Sequence, residues 1–97
     1  MEFVFSAELF PWSANTSWVF VSIPPDDADV VDDYASKPGG FGSVRVSVQV
    51  GGTAWKTSLF PSKEMETYVL PIKKDVRKKE GIGVGDTVEF SIRVLSD

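Results

Sequence analysis

The sequence predicts a mainly β fold: a small, closed or nearly closed six-stranded barrel with two short helices, one domain over residues 1–97. Three observations carry this prediction. Six short segments read as strands, most of them with the period-two patterning that turns successive side chains to opposite faces of a sheet. Two stretches break that rhythm, each opened by proline and followed by glycines. The order strand, proline, helix, glycines, strand occurs twice, which suggests an internal pseudo-two-fold.

Residues 3–9 form the first predicted strand, with Phe3, Phe5, Ala7 and Leu9 facing one way and Val4, Ser6 and Glu8 the other. Pro11 ends it, and residues 13–16 make a polar turn. Residues 17–23 (SWVFVSI) are apolar in both parities apart from their serines, the pattern of a strand covered on both sides. Pro24 and Pro25 stop that strand. Asp26 or Asp27 then caps a short helix through about residue 36, with a thin apolar stripe of Ala28, Val31 and Tyr34. Residues 37–42 (KPGGFG) connect it to the next strand.

Residues 43–50 give the clearest strand, with Val44, Val46, Val48 and Val50 on one face and Arg45, Ser47 and Gln49 on the other. Gly51-Gly52 is a two-residue hairpin signal. Residues 53–60 return antiparallel, with Trp55, Thr57 and Leu59 opposite in facing to Lys56, Ser58 and Phe60. Residues 61–64 read as a loop and 66–70 as a short strand ended by Pro71. A basic helix follows over about 72–80, and Gly81 is placed to end it in a left-handed conformation. Gly83 and Gly85-Asp86 turn the chain into the last strand, where Val88, Phe90, Ile92 and Val94 alternate with Glu89, Ser91 and Arg93.

Composition narrows the chemistry. The chain is 42% hydrophobic, 12% aromatic and 25% charged, as globular domains are. It has no cysteine and no histidine, so the common zinc sites and Ser-His-Asp or Cys-His pairs are excluded. Any catalysis would rest on Asp, Glu, Lys, Tyr or backbone donors, and no catalytic residue, metal ligand or cofactor is assigned. A cysteine-free small domain fits the cytoplasm better than an oxidising compartment. The N-terminal stretch alternates Glu2 and Glu8 with Phe3, Phe5 and Leu9, which is strand patterning and not a secretion signal. No apolar run approaches the roughly 18 residues of a membrane span. Net charge is −4 and unevenly spread: residues 1–42 carry seven acids against Lys37, and residues 43–97 nine bases against seven acids. The overall sign disfavours nucleic acid.

The matched units are Ile23-Pro24, acidic helix, glycines, VRVSVQV and Leu70-Pro71, basic helix, glycines, VEFSIRV. Around them runs an ordered set of short motifs. These are F-x-A at Phe5 and Ala7, W-x-F-V-x-I-P at 18–24, V-R-V-x-V at 44–48 and G-x-x-W-x-T-S-L-x-P at 52–61. Tyr68-Val69-Leu70-Pro71 follows, then K-K-x-V-R-K-x-x-G and G-D-x-V within 73–88. In that order the chain resembles the bacterial domain-of-unknown-function family numbered nineteen-hundred-and-five, over nearly its whole length. The resemblance implies a small barrel related in shape to the AbrB-type swapped-hairpin barrels. It implies no activity; relatives sometimes carry a YdeI/OmpD-associated domain alongside. The acidic DDADVVDD segment departs from the family pattern.

Four constellations offer function. The basic cluster Lys73, Lys74, Arg77, Lys78 and Lys79 suits phosphate or a nucleic-acid backbone, against the simpler reading of a solvated helix face. The acids Asp26, Asp27, Asp29, Asp32 and Asp33 lack calcium-loop spacing and read as helix-capping and solubilising; pairing with the basic helix, in this chain or a neighbour's, is the third option. GIGVGD at 81–86 follows a helix and precedes a strand, the reverse of a phosphate cradle, so it reads as helix stop plus turn. Trp12, Trp18 and Trp55, with Phe41, Phe60 and Tyr68, are more large rings than so small a core absorbs, and exposed rings mark contact surfaces.

These observations give the ligand-binding expectation Arg45, Trp55, Ser58, Tyr68, Lys73 and Arg77, between the barrel mouth and the basic helix. The favoured function is a non-enzymatic binding or accessory domain, monomeric or weakly dimeric, for a small ligand or protein partner. An AbrB-like DNA-binding role is the alternative, and an enzyme using carboxylate, Lys or Tyr the third.

Overall fold

A computed structural model of the protein describes residues 2–12, 15–34 and 42–95. Among the described residues the chain forms seven strands, and the two proline-led interruptions form two helices. They run β1 (Glu2–Glu8), β2 (Phe10–Trp12), β3 (Asn15–Ser22), α1 (Pro25–Tyr34), β4 (Val44–Val50), β5 (Thr53–Ser62), β6 (Thr67–Pro71), α2 (Lys74–Glu80) and β7 (Thr87–Val94). The hydrogen-bonded order is β1-β7-β4-β5-β6-β3-β2, with antiparallel pairing throughout. No helix among the described residues is long and apolar enough to cross a membrane.

The mainly β class with two helices is as the sequence predicts. The finer expectation of six strands in a closed barrel differs from what is seen: the sheet has seven strands and its ladder is open, a half-barrel. The reason lies at Leu9. Its N–H donates to the Asp86 carbonyl and its own carbonyl accepts from the Gly85 N–H, both at 2.9 Å. With its backbone committed to the turn before β7, the N-terminal strand divides there. Residues before Leu9 pair with β7, and residues after it pair with β3. The two edges of the sheet, β1 and β2, are therefore sequence neighbours. Strand β5 makes the same crossing unbroken: Thr53–Leu59 pair with β4 and Phe60–Ser62 with β6.

The core lies between the two curved halves. Phe5, Leu9, Val19, Val21, Val46, Val48, Leu59, Leu70, Phe90 and Ile92 are all buried, and the helices add Ala28, Val31 and Val76. Valines dominate because β-branched side chains suit a pleated, half-buried surface. Phe5 stacks on Phe90 at 5.5 Å, which ties β1 to β7 through the core.

Helix α1 begins at Pro25, whose missing N–H falls where a helix has no acceptor for it. The Pro24 carbonyl receives the Ala28 N–H at 2.9 Å, so the prolines start the helix as well as ending β3. Residues 35–41, which hold the predicted helix end and most of the glycine connection, lie outside the described residues. Helix α2 is shorter than the sequence predicts. Ile72 still donates its N–H to the Val19 carbonyl at 2.9 Å, so helical turns start only at Lys74. Gly81 ends α2 at φ 67°, ψ 36°, as its position predicts. Gly51 has φ 54°, and a Cβ there would overlap the Glu80 carboxylate, so glycine serves both the turn and the approach of α2. Glu80 accepts from the Thr53 hydroxyl at 2.5 Å and fastens α2 to that hairpin.

Candidate functional site

Alternation along β3 turns Val19 and Val21 inward, where both are buried, and Trp18 and Phe20 outward. Contrary to the sequence expectation, this strand is not covered on both sides: no helix packs over its outer face among the described residues, and Trp18 is 59% exposed. The physical reason is the placement of the helices. Helix α1 contacts β6 and α2 contacts β5, and their buried residues join the single core.

Neighbouring strands add to the same outer face. Pairing sets Phe10 of β2 against Phe20, Pro71 of β6 against Phe20 on its other side, and Phe60 of β5 against Val69. Phe20 is the hub of the rings: Trp12 lies 5.3 Å away, Phe10 6.5 Å, and Trp18 6.3 Å in a stacked arrangement at 15°. Trp12 is 41% and Phe60 43% exposed. Together Trp12, Trp18, Phe20, Phe60 and Pro71 line a groove of about 440 Å³, with Val69 buried at its floor. That volume is in the range of small-molecule sites, roughly 300–1,000 Å³.

The ends of the groove are charged. The exposed residues Lys63 and Glu64 lie at one end, on the turn between β5 and β6. At the other, Trp18 and Pro71 also wall a smaller cleft of about 170 Å³ that reaches Ile72, Lys73 and Lys74. Both lysines are exposed.

The six residues expected to bind ligand are dispersed by the fold. Arg45 and Ser58 are cross-strand partners on the outer side of β4 and β5. Trp55 pairs with Val48 and packs against the core from the opposite face of β5 to Ser58; its indole N–H is buried with no partner among the described residues. Tyr68 is buried under α1, where its hydroxyl donates to Asp32 Oδ1. Burial first, then the bond to Asp32 and that carboxylate's charge, push the phenol from 10.0 up to about 12. Tyr68 is thus a protonated tether between β6 and α1 at neutral pH. Lys73 precedes α2 and joins the aromatic groove through the smaller cleft. Arg77 donates its Nε to the Ile72 carbonyl at 3.1 Å, holding the first turn of α2 against the end of β6. None of the six lines the 440 Å³ groove itself.

A family profile described as "Domain of unknown function (DUF1905)" matches residues 5–92. The chain belongs to the DUF1905 family. No curated protein matches it. The matched span of this DUF1905 domain contains every strand that frames the groove.

The groove lies away from the site the sequence predicts, though its rings are among those the sequence marks as surplus. Trp12, Trp18 and Phe60 stand out as surplus rings. The decisive signal is parity: in residues 17–23 both parities are apolar, and only the inner one has a core to enter. Phe41, also among the surplus rings, lies outside the described residues.

Proposed function

We propose that this domain is a non-catalytic binding module and that the aromatic groove on the outer side of β2, β3, β6 and β5 is where it binds. One observation carries the reading: Trp12, Trp18, Phe20 and Phe60 share one outward sheet face while Trp18 remains 59% exposed. Exposed apolar surface costs solubility, and contiguous rings on a small domain mark contact surfaces. The polar pairs that could suggest catalysis have mechanical roles. Tyr68–Asp32 fastens α1 to β6 and Thr53–Glu80 fastens α2 to the β4–β5 hairpin.

A screen of small aromatic and apolar compounds tests the reading by tryptophan fluorescence and melting temperature. Saturable binding that disappears in Trp18→Ala supports it. A screen without a single groove-dependent binder overturns it.

The alternative is contact with duplex DNA through α2, favoured by four exposed lysines, Lys73, Lys74, Lys78 and Lys79. About six to ten phosphate contacts are usual for salt-resistant binding, and the remaining surface is acidic on balance. Absence of a gel shift at about 50 mM salt eliminates this alternative.

The pseudo-two-fold reading has support in the pairing. Strands β3 and β6 pair with each other, as do β4 and β7, and the interrupted strand β1–β2 corresponds to β5. In this reading residues 17–50 and 64–94 are the matched halves. Failure of the two halves to superpose strand by strand refutes it.

A further inference from the structure

The groove's two ends differ in charge, and the difference selects a ligand. At the β5–β6 turn Lys63 and Glu64 adjoin, one charge of each sign. At the α2 end the lining among the described residues is Trp18, Val19, Pro71, Ile72, Lys73 and Lys74, with two cations and no acid. The two spaces share the walls Trp18 and Pro71, so one molecule can touch the rings and the lysines together. The ring surface is preformed, because Trp18 already stacks on Phe20 at 15° and Trp12 packs on the same Phe20 at 5.3 Å.

We propose that the groove takes a small molecule carrying a planar ring system and one anionic group, the ring against Trp18, Phe20 and Trp12 and the anion at Lys73 and Lys74. The assignment rests on the reading of the groove as a binding site. Stacking on aromatic faces supplies the main attraction and tolerates variation in the ring. The lysines fix direction: an anion reversed in the groove meets Lys63 and Glu64, whose opposite charges offset, in place of two cations. A polyanion gains less, since its second charge reaches only the offset pair Lys63 and Glu64 on a protein whose net charge is −4.

Titration of intrinsic tryptophan fluorescence with naphthoate and with its neutral counterpart naphthamide tests the proposal. Both are run in low salt on the natural chain, on Lys73→Gln/Lys74→Gln and on Trp18→Ala. All three altered side chains are exposed, so the fold survives, and urea unfolding of each variant verifies that it does. Naphthoate is expected to saturate and to bind roughly three- to tenfold more tightly than naphthamide, the range that two solvent-exposed ion pairs supply. The double lysine variant is expected to bind the two equally, and Trp18→Ala to bind neither. Equal binding of both compounds by the natural chain overturns the anion assignment while the groove remains a binding site. Binding of neither overturns both. A single-stranded oligonucleotide that competes more strongly than naphthoate overturns the single-anion class. So does a concentration-dependent dimer in sedimentation that Trp18→Ala abolishes, because the groove's occupant is then a second copy of the chain.

Discussion

On the outer side of β1, β7, β4 and the first half of β5, residues two apart read Glu2, Val4, Ser6; Glu89, Ser91, Arg93; Arg45, Ser47, Gln49; Ala54, Lys56, Ser58. On the outer side of β2, β3, β6 and the second half of β5 they read Phe10; Trp18, Phe20, Ser22; Thr67, Val69, Pro71; Phe60, Ser62, with the rings gathered at the middle and the polar residues toward one end. The pleat, the antiparallel pairing and the inner valine-rich face are common to both halves. Only the outward parity differs. A backbone that needs one apolar face to fold is indifferent to the other, so the second face is free to carry chemistry. The polar half spends its outward positions on hydration, and the aromatic half keeps rings there that contribute little to the core.

Substitutions can break this contrast or sharpen it. The largest effect is expected where the halves are alike. Leu70→Ala and Phe90→Ala, both fully buried and one in each half, should each cost about 2–5 kcal/mol in urea unfolding. One of them near zero would mean that the halves do not share a core. Tyr68→Phe should cost about 1 kcal/mol near neutral pH by removing the tether to Asp32. Its pH signature is sharper. The phenol's folded pKa is about 12 against 10.0 unfolded, so its contribution is fully present below pH 10 and declines as pH rises from there toward 12. The variant should lack that decline in unfolding experiments across the interval.

Smaller effects separate the outward faces themselves. Trp18→Ala should change stability by less than about 1 kcal/mol yet abolish groove binding, because most of the ring faces water. A loss above about 2 kcal/mol would make the aromatic face structural and collapse the contrast. Arg93→Ala on the polar face should stay within about 0.5 kcal/mol, since its contact with Glu2 at 3.7 Å joins two largely exposed side chains. Binding should be unaffected by it.

Much of the fold is legible in the residues themselves. Val44 to Val50, the Gly51-Gly52 turn, Gly81 as helix stop and the last strand follow from local rules of alternation and φ preference, and tertiary context leaves them unchanged. Prolines are where local rules fail. Pro71 is the last residue of β6, as expected, but Pro11 and Pro61 lie within strands, against the expectation that one ends a strand and the other opens a loop, because a strand tolerates proline where its ladder requires no donor. Pro25 opens a helix for the same reason. The candidate site was half legible. Surplus rings announce a surface, but whether Trp55 or Trp18 provides it depends on which parity the helices cover. Trp55 turned inward and Trp18 outward, and that is decided by strand pairing across distant residues.

The division of the first strand at Leu9 has a kinetic side. Glu2 pairs with Arg93, so the first ladder of the sheet joins nearly the two extremes of the sequence. Contacts of such long range are late and slow to form, because the whole intervening loop must close first. During synthesis β1 has no partner until β7 has left the ribosome, and β3 can meet β6 well before that. The local β4–β5 hairpin and then the β3–β6 pairing can therefore form while β1 still waits for β7, so the rings of the aromatic face stand in water before the sheet is complete.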